Sequence, residues 1–377
     1  EQLEESGRLD RALEFIPGDE ELAERRVQGK ALTRPELSVL VSYSKAILKE
    51  ELIASDLGLD PYLANAVETA FPKLLVKQYP GEISEHRLHR EIMATQVAND
   101  LVNRMGLNFI MRQQTATGAS VADVARAYTS VMEIFSLRER WERIEALDHQ
   151  VSSSVQMDMM LNLMQLVKRA TRWLLRNRRH ELVPTALIEE FHSILDELRE
   201  GFPGMLRGDA ALQYEELVQR YVDDGVDEEL ACEVARATQS YTALGIIQAA
   251  RETQAPVLDV ARLYFLLGEH LELDWFSSQI LASKIENEWQ ALARDTYLED
   301  LEWQQRTLAV GALQHLPEDG NVLTCLRRWE EQEAALLQRW QQMLAQLHSS
   351  EAPDFAMFAV ANRELLDLAQ SSVRAGD

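Results

Sequence analysis

Cysteine is scarce in this chain of 377 residues: Cys232 and Cys325 are its only two, far apart and in no CxxC spacing. That excludes a disulfide framework and a thiolate zinc site, and it leaves reduced thiols acting as small buried hydrophobes. Apolar runs approaching the roughly 20 residues needed to span a bilayer are also missing, so no membrane partner is expected. Neither GxGxxG nor GxxxxGKS/T occurs, which removes the usual backbone cradles for dinucleotides and nucleotide phosphates, and no cofactor site is expected within these residues. GxSxG and HExxH are missing as well. The opening EQLEESGRLDRALEF has neither an initiator Met nor a signal-peptide pattern, and it reads as part of a longer cytoplasmic polypeptide.

Positive charge is in short supply: 38 Lys and Arg face 62 Asp and Glu, a formal net charge of −24. Phosphate affinity comes from clustered cations with little opposing charge, so a nucleic-acid partner is not expected. One stretch breaks the pattern. KRATRWLLRNRRH, residues 168–180, carries five arginines and a lysine with no acid.

What the chain does have is helical periodicity, with almost no strand-like alternation. Capping boxes are read at Thr33 with Glu36, Ser120 with Asp123, and Ser136 with Glu139, and an N-cap at Asp60 before Pro61. Breaks are read at PGD (17–19), GLDP (58–61), YPGE (79–82), GFPGMLRGD (201–209), DDGVD (223–227) and LPEDGN (316–321). The expected fold is all-α, a multi-helix assembly.

The chain also repeats itself. DVARAY at 123–128 recurs as DVARLY at 259–264, an offset of 136, and further downstream Trp141, Leu147, Gln156 and Arg172 match Trp275, Leu281, Gln290 and Arg306 at an offset of 134. Such an offset implies a duplicated helical subdomain and not a short solenoid unit. The expected organisation is a helical lead-in over 1–80, a first repeat over 81–205, and a second repeat with C-terminal helices over 206–377.

Few residues suggest chemistry. His86 and His89 form HxxH, and Glu189 with His192 forms the one Glu-x-x-His, but neither has the further ligands that a metal site needs. No catalytic residue and no metal ligand is assigned. The tryptophans at 141, 173, 275, 289, 303, 329 and 340 are read as core. In the basic stretch, Lys168, Arg172, Arg176 and Arg179 step by 4, 4 and 3 and form one helical stripe, widened by Arg169, Arg178 and His180. Pairing with carboxylates within the protein or across an interface is the favoured reading, since a lone basic patch on so acidic a chain sits in a repulsive field for polyanions. Of these residues, only Arg172 keeps its charge in the second copy, as Arg306. Arg172 and Arg306 are therefore candidate structural arginines. Lys168, Arg169, Arg176, Arg178 and Arg179 are the candidate docking surface.

Taken together, ALTRPELSVLVSYSK (31–45), LHREIMATQVANDLVNRMG (88–106), TGASVADVARAY (117–128), KRATRWLLRNRR (168–179), LDVARLYFLLGEHLELDW (258–275) and WQALARDTYLEDLEWQQRTL (289–308) resemble the C-terminal part of the large bacterial NAD-dependent glutamate dehydrogenases. The resemblance covers essentially the whole chain. It implies a helical region that follows a catalytic core on the same polypeptide, with NAD as the parent enzyme's cofactor and glutamate oxidation as its reaction. The family's catalytic lysine and aspartate and its dinucleotide-binding fold belong to that core and have no counterpart here. The implied role is structural, oligomer-forming or regulatory, and the implied partners are the upstream core and further copies of the chain. TRPEL, at 33–37, is the candidate contact nearest the core. A stand-alone helical interaction adaptor is the rival reading.

Overall fold

The structure, a computed structural model, describes residues 2–317, 320–350 and 353–374. Among these residues all regular structure is helical. By its contacts the chain divides into two compact units, Glu1–Glu133 with Val167–Ile188, and Ile134–Leu166 with Glu189–Asp377. This partition follows packing, and so differs from one drawn on sequence repeats.

In the first unit the principal helices are α1 (Arg34–Ala54), α2 (His89–Met105), α3 (Phe109–Thr117) and most of α4 (Val121–Ile134). The capping box before α1 forms as read: Thr33 donates its N–H to the Glu36 carboxylate across 2.6 Å. Asp60 caps the short helix that begins at Pro61 by accepting from the N–H groups of Tyr62 and Leu63. Ser120 and Asp123 satisfy one another's backbone N–H groups in the same reciprocal way, at 3.1 and 3.3 Å. On α2 the buried residues are Met93, Ala94, Val97, Ala98, Leu101, Val102 and Met105. Their 1–3 alternation is a single apolar stripe along the helix, and it packs on α1. Tyr128 of α4 is buried and donates its hydroxyl to Asp100 of α2 across 2.9 Å, so a polar tip is satisfied inside that packing.

Long helix α6 (Ser153–Asn177) contributes its N-terminal part to the second unit and its C-terminal part to the first. The second unit also holds α5 (Leu137–Glu145), most of α7 (Pro184–Met205), α8 (Gly208–Asp223), α9 (Glu228–Ser240), α10 (Thr242–Thr253), α11 (Val257–His270), α12 (Leu273–Ala282), α13 (Glu288–Leu313), α14 (Val322–Gln332), α15 (Ala334–Ser349) and α16 (Phe355–Arg374). Within it, α13 and α16 pair extensively. They approach closely at Gly311, where a Cβ would lie 2.6 Å from both the Cβ and the carbonyl oxygen of Ser372. The buried Trp329 ring fixes the same place by donating its indole N–H to the Ser372 hydroxyl across 2.9 Å. Trp340 does likewise to the carbonyl of Leu271, at 3.0 Å.

Three readings of the sequence need correction. Ser136 is no capping serine: it sits before α5 in the left-handed region at φ 49°, and its side chain makes no cap hydrogen bond. The break read at 201–209 is narrower, because α7 continues through Pro203 to Met205. Proline lacks the N–H that would bond the carbonyl of Arg199 four residues back, and Arg236 of α9 supplies the missing donor, Nη1 to that carbonyl at 3.1 Å. Not all tryptophans are core: Trp141, Trp173, Trp329 and Trp340 are buried, but Trp289 is 79% exposed and Trp303 42%. Of the loop read at 316–321, Glu318 and Asp319 lie outside the described residues.

Candidate functional site

The basic stretch runs through the last turns of α6 and into the loop beyond. Arg172 and Arg176 lie one turn apart on one side of α6, Arg179 follows in the loop beyond, and all three reach α3 or its C-terminal cap. Arg172 is 8% exposed and donates Nε to the side-chain oxygen of Gln113 across 3.3 Å. Gln113 is itself fully buried and donates its amide to the backbone carbonyl of Lys168 at 3.1 Å, so one glutamine ties both the side chain and the backbone of α6 to α3.

One and two turns further on, the guanidiniums meet the end of α3. Arg176 donates to the carbonyl of Ala116 at 3.3 Å and Arg179 to that of Gly118 at 3.2 Å. The last carbonyls of a helix have no partner within it and carry the negative end of the macrodipole. Two arginines there satisfy geometry and charge together. Gly118 is required at this point: it takes φ +68° in the left-handed cap, and a Cβ would come within 3.4 Å of the Arg179 Nη2.

The remaining members of the stripe spread outward. Arg176, Arg179 and His180 are exposed, while Lys168, Arg169 and Arg178 are half-buried, with Arg178 paired to Glu181 at 3.1 Å. The other candidate structural arginine, Arg306 on α13, donates Nη1 to the Gln248 side-chain oxygen of α10 across 3.2 Å. In each case the arginine of a long helix meets a glutamine of the short helix preceding a DVAR segment. Gln113 and Gln248 were not singled out from the sequence, since a neutral amide in an apolar helical run carries no charge signature.

The histidine motifs have local roles. His86 accepts the Leu88 N–H at 3.1 Å through Nδ1, and the His192 ring meets the carbonyl of Ile134 at 3.3 Å. Among the described residues no group of three or more His, Cys, Asp or Glu is placed to hold a metal ion, and no helix is long and apolar enough to cross a membrane.

Fold and site thus define, among the described residues, an all-α helical module with an arginine-capped helix terminus in its first unit. The chain belongs to the family described as "Glutamate dehydrogenase, C-terminal", whose profile matches residues 29–367. It is 46% identical over 370 residues to the NAD-specific glutamate dehydrogenase of Pseudomonas aeruginosa, an alignment that covers 98% of this chain and 23% of that protein. Over 374 residues it is 44% identical to the NAD-specific glutamate dehydrogenase of Halomonas elongata, covering 99% of this chain and 23% of the relative. The Mycobacterium tuberculosis protein of the same name is 30% identical over 366 residues, with 97% and 22% covered. The chain therefore spans less than a quarter of the length of these relatives.

Proposed function

We propose that this chain acts as the C-terminal helical region of a large NAD-dependent glutamate dehydrogenase in the cytoplasm, following a catalytic core on the same polypeptide. The parent reaction would take L-glutamate, NAD⁺ and water to 2-oxoglutarate, ammonium and NADH. The observation that carries this is the match along 98% of the chain to a protein named for that activity, of which it makes up 23%. NAD would be held by the core, because the described residues contain no strand–turn–helix unit of the dinucleotide-binding kind. By itself the chain is expected to be inactive.

Its contribution would be to brace the core and to assemble the enzyme into a homo-oligomer. Lys168, Arg169, Arg176, Arg178 and Arg179 form the proposed docking surface for acidic side chains of the core or of another copy. Arg172 and Arg306, each meeting a glutamine, are the proposed structural pair of an internal duplication. That duplication is supported by backbone registers: α4 and α11 start and end 136 residues apart, at Val121 and Val257 and at Ile134 and His270. The left-handed residues Gly118 and Gln254, and Ser136 and Glu272, keep the same separation.

Deleting this region from the full-length enzyme, with NADH production and molar mass measured together, tests the proposal. Loss of turnover or of the oligomer is expected. Unchanged values of both would overturn it, as would a gene with no dehydrogenase core upstream.

A further inference from the structure

The first half of α13 is apolar yet uncovered. From Trp289 to Asp300 none of the described residues is buried, although Trp289, Leu292, Tyr297 and Leu298 lie there. Asn287 caps the start by accepting the Gln290 N–H at 3.0 Å, so the helix is firmly begun. Positions 289, 292, 296, 300 and 303 step by 3, 4, 4 and 3, which sets Trp289, Leu292, Thr296, Asp300 and Trp303 on one face about 21 Å long. On it Trp289 is 79% exposed, Leu292 46% and Trp303 42%. Two indoles and a leucine aligned in water mark a contact surface, since scattered single apolar residues would not share a face.

Its charge says what fits. Residues 286–302 carry six Asp and Glu against one Arg, and Asp300 is exposed on the apolar face one turn before Trp303. An acid-flanked aromatic surface suits guanidinium groups, whose planes lie on indoles while their edges meet carboxylates. The basic stretch of this same chain has that chemistry: five Arg and a Lys within 168–180, no acid, and Arg176 and Arg179 exposed. The hydrogen bonds of Arg176 and Arg179 to the α3 carbonyls run in the guanidinium plane and leave its faces for stacking. At a net charge of −24, two copies repel except where such opposite surfaces meet.

We infer that the Trp289–Trp303 face of α13 docks on the basic stretch of a second copy of this chain, with arginine planes on the indoles and an arginine edge at Asp300. The two surfaces differ, so the contact is head-to-tail and repeats from copy to copy until a ring closes or a filament grows. The inference rests on the reading of the basic stretch as a docking surface and names what docks there.

Sedimentation of this chain over a range of concentrations tests it. The parent is expected to gain mass with concentration. Trp289→Ala with Trp303→Ala should weaken association at least about tenfold, as truncating central interface tryptophans does. Arg176→Gln with Arg179→Gln, whose amides still reach the α3 carbonyls, should weaken it as much. Each variant keeps the half that the other lacks, so an equimolar mixture should form a one-to-one dimer and nothing larger. If the double tryptophan variant does not fold in a thermal melt, Trp289→Ala alone takes its place. A parent that stays monomeric, a folded tryptophan variant that associates like the parent, or a mixture that stays monomeric overturns the inference. Association lost with the arginines but kept without the tryptophans overturns it too, while leaving the basic stretch a docking surface.

Discussion

The guanidinium of Arg172 hydrogen-bonds the side-chain oxygen of Gln113 across 3.3 Å inside the first unit, where both residues are buried. Truncating either side of such a bond leaves a polar group without that partner in a place where water does not replace it. Arg172→Ala is expected to cost about 1–3 kcal/mol of stability. Gln113→Ala should cost a similar amount, because it also removes the bond to the Lys168 carbonyl. Chemical denaturation of the chain measures both, and melts equal to the parent would show that the clamp carries no stability.

Arg176 should behave differently, because it is exposed and reaches a carbonyl at a helix end. Arg176→Ala is expected to leave stability within about 1 kcal/mol of the parent, in the range of helix-terminus charge effects. If Arg176 docks as proposed, its loss should weaken assembly of the full-length protein, read by sedimentation at several salt concentrations. If Arg172→Ala and Arg176→Ala shift stability and assembly alike, the two arginines do not divide these roles.

Gly311 and Gly268 offer a controlled comparison. A Cβ at Gly311 meets Ser372 backbone at 2.6 Å, where α13 and α16 cannot part without losing their packing. At Gly268 it meets only the amide end of Gln305, at 2.8 Å. A side-chain terminus can swing aside and a backbone cannot. Gly311→Ala should destabilise by about 1–3 kcal/mol or more, and Gly268→Ala by less, with the Gln305 bond to the Tyr264 carbonyl as its main loss.

Cys325 is fully buried and donates its thiol to the carbonyl of Ala312. Burial pushes this thiol up to about 11, from an ordinary value of 9.0. The folded protein therefore holds this proton after the unfolded chain has released it. The stabilising contribution is complete below pH 9 and is lost as pH rises from there toward 11. Burial pushes the Tyr221 and Tyr264 phenols the same way. Stability measured against pH should fall across this alkaline range, with a shallower fall in Cys325→Ala. Native labelling with a thiol reagent at pH 8 should reach the part-exposed Cys232 and leave Cys325 untouched until the chain unfolds.

How far the sequence foretold this structure depends on where each partner sits. The caps at Thr33, Ser120 and Asp60 were legible because donor and acceptor lie within three residues. The stop at Pro203 was misread because its remedy, Arg236, comes from another helix. Ser136 has the residue type of a cap, but its backbone turns left-handed, as Glu272 does 136 residues on. For the basic stripe, spacing gave the shared face of Arg172, Arg176 and Arg179. Their acceptors were not legible, since two are backbone carbonyls and the third is a neutral amide.

The capped end of α3 has a consequence for recognition. An arginine side chain in water samples many rotamers, and ordering it on contact costs on the order of 1 kcal/mol. Arg176 and Arg179 are each already tethered to a carbonyl of the first unit. A guanidinium is planar, so fixing one N–H sets the directions of the others. The helix end thus acts as a jig, and an acidic partner arriving there would meet donors whose orientation had been settled when the chain folded.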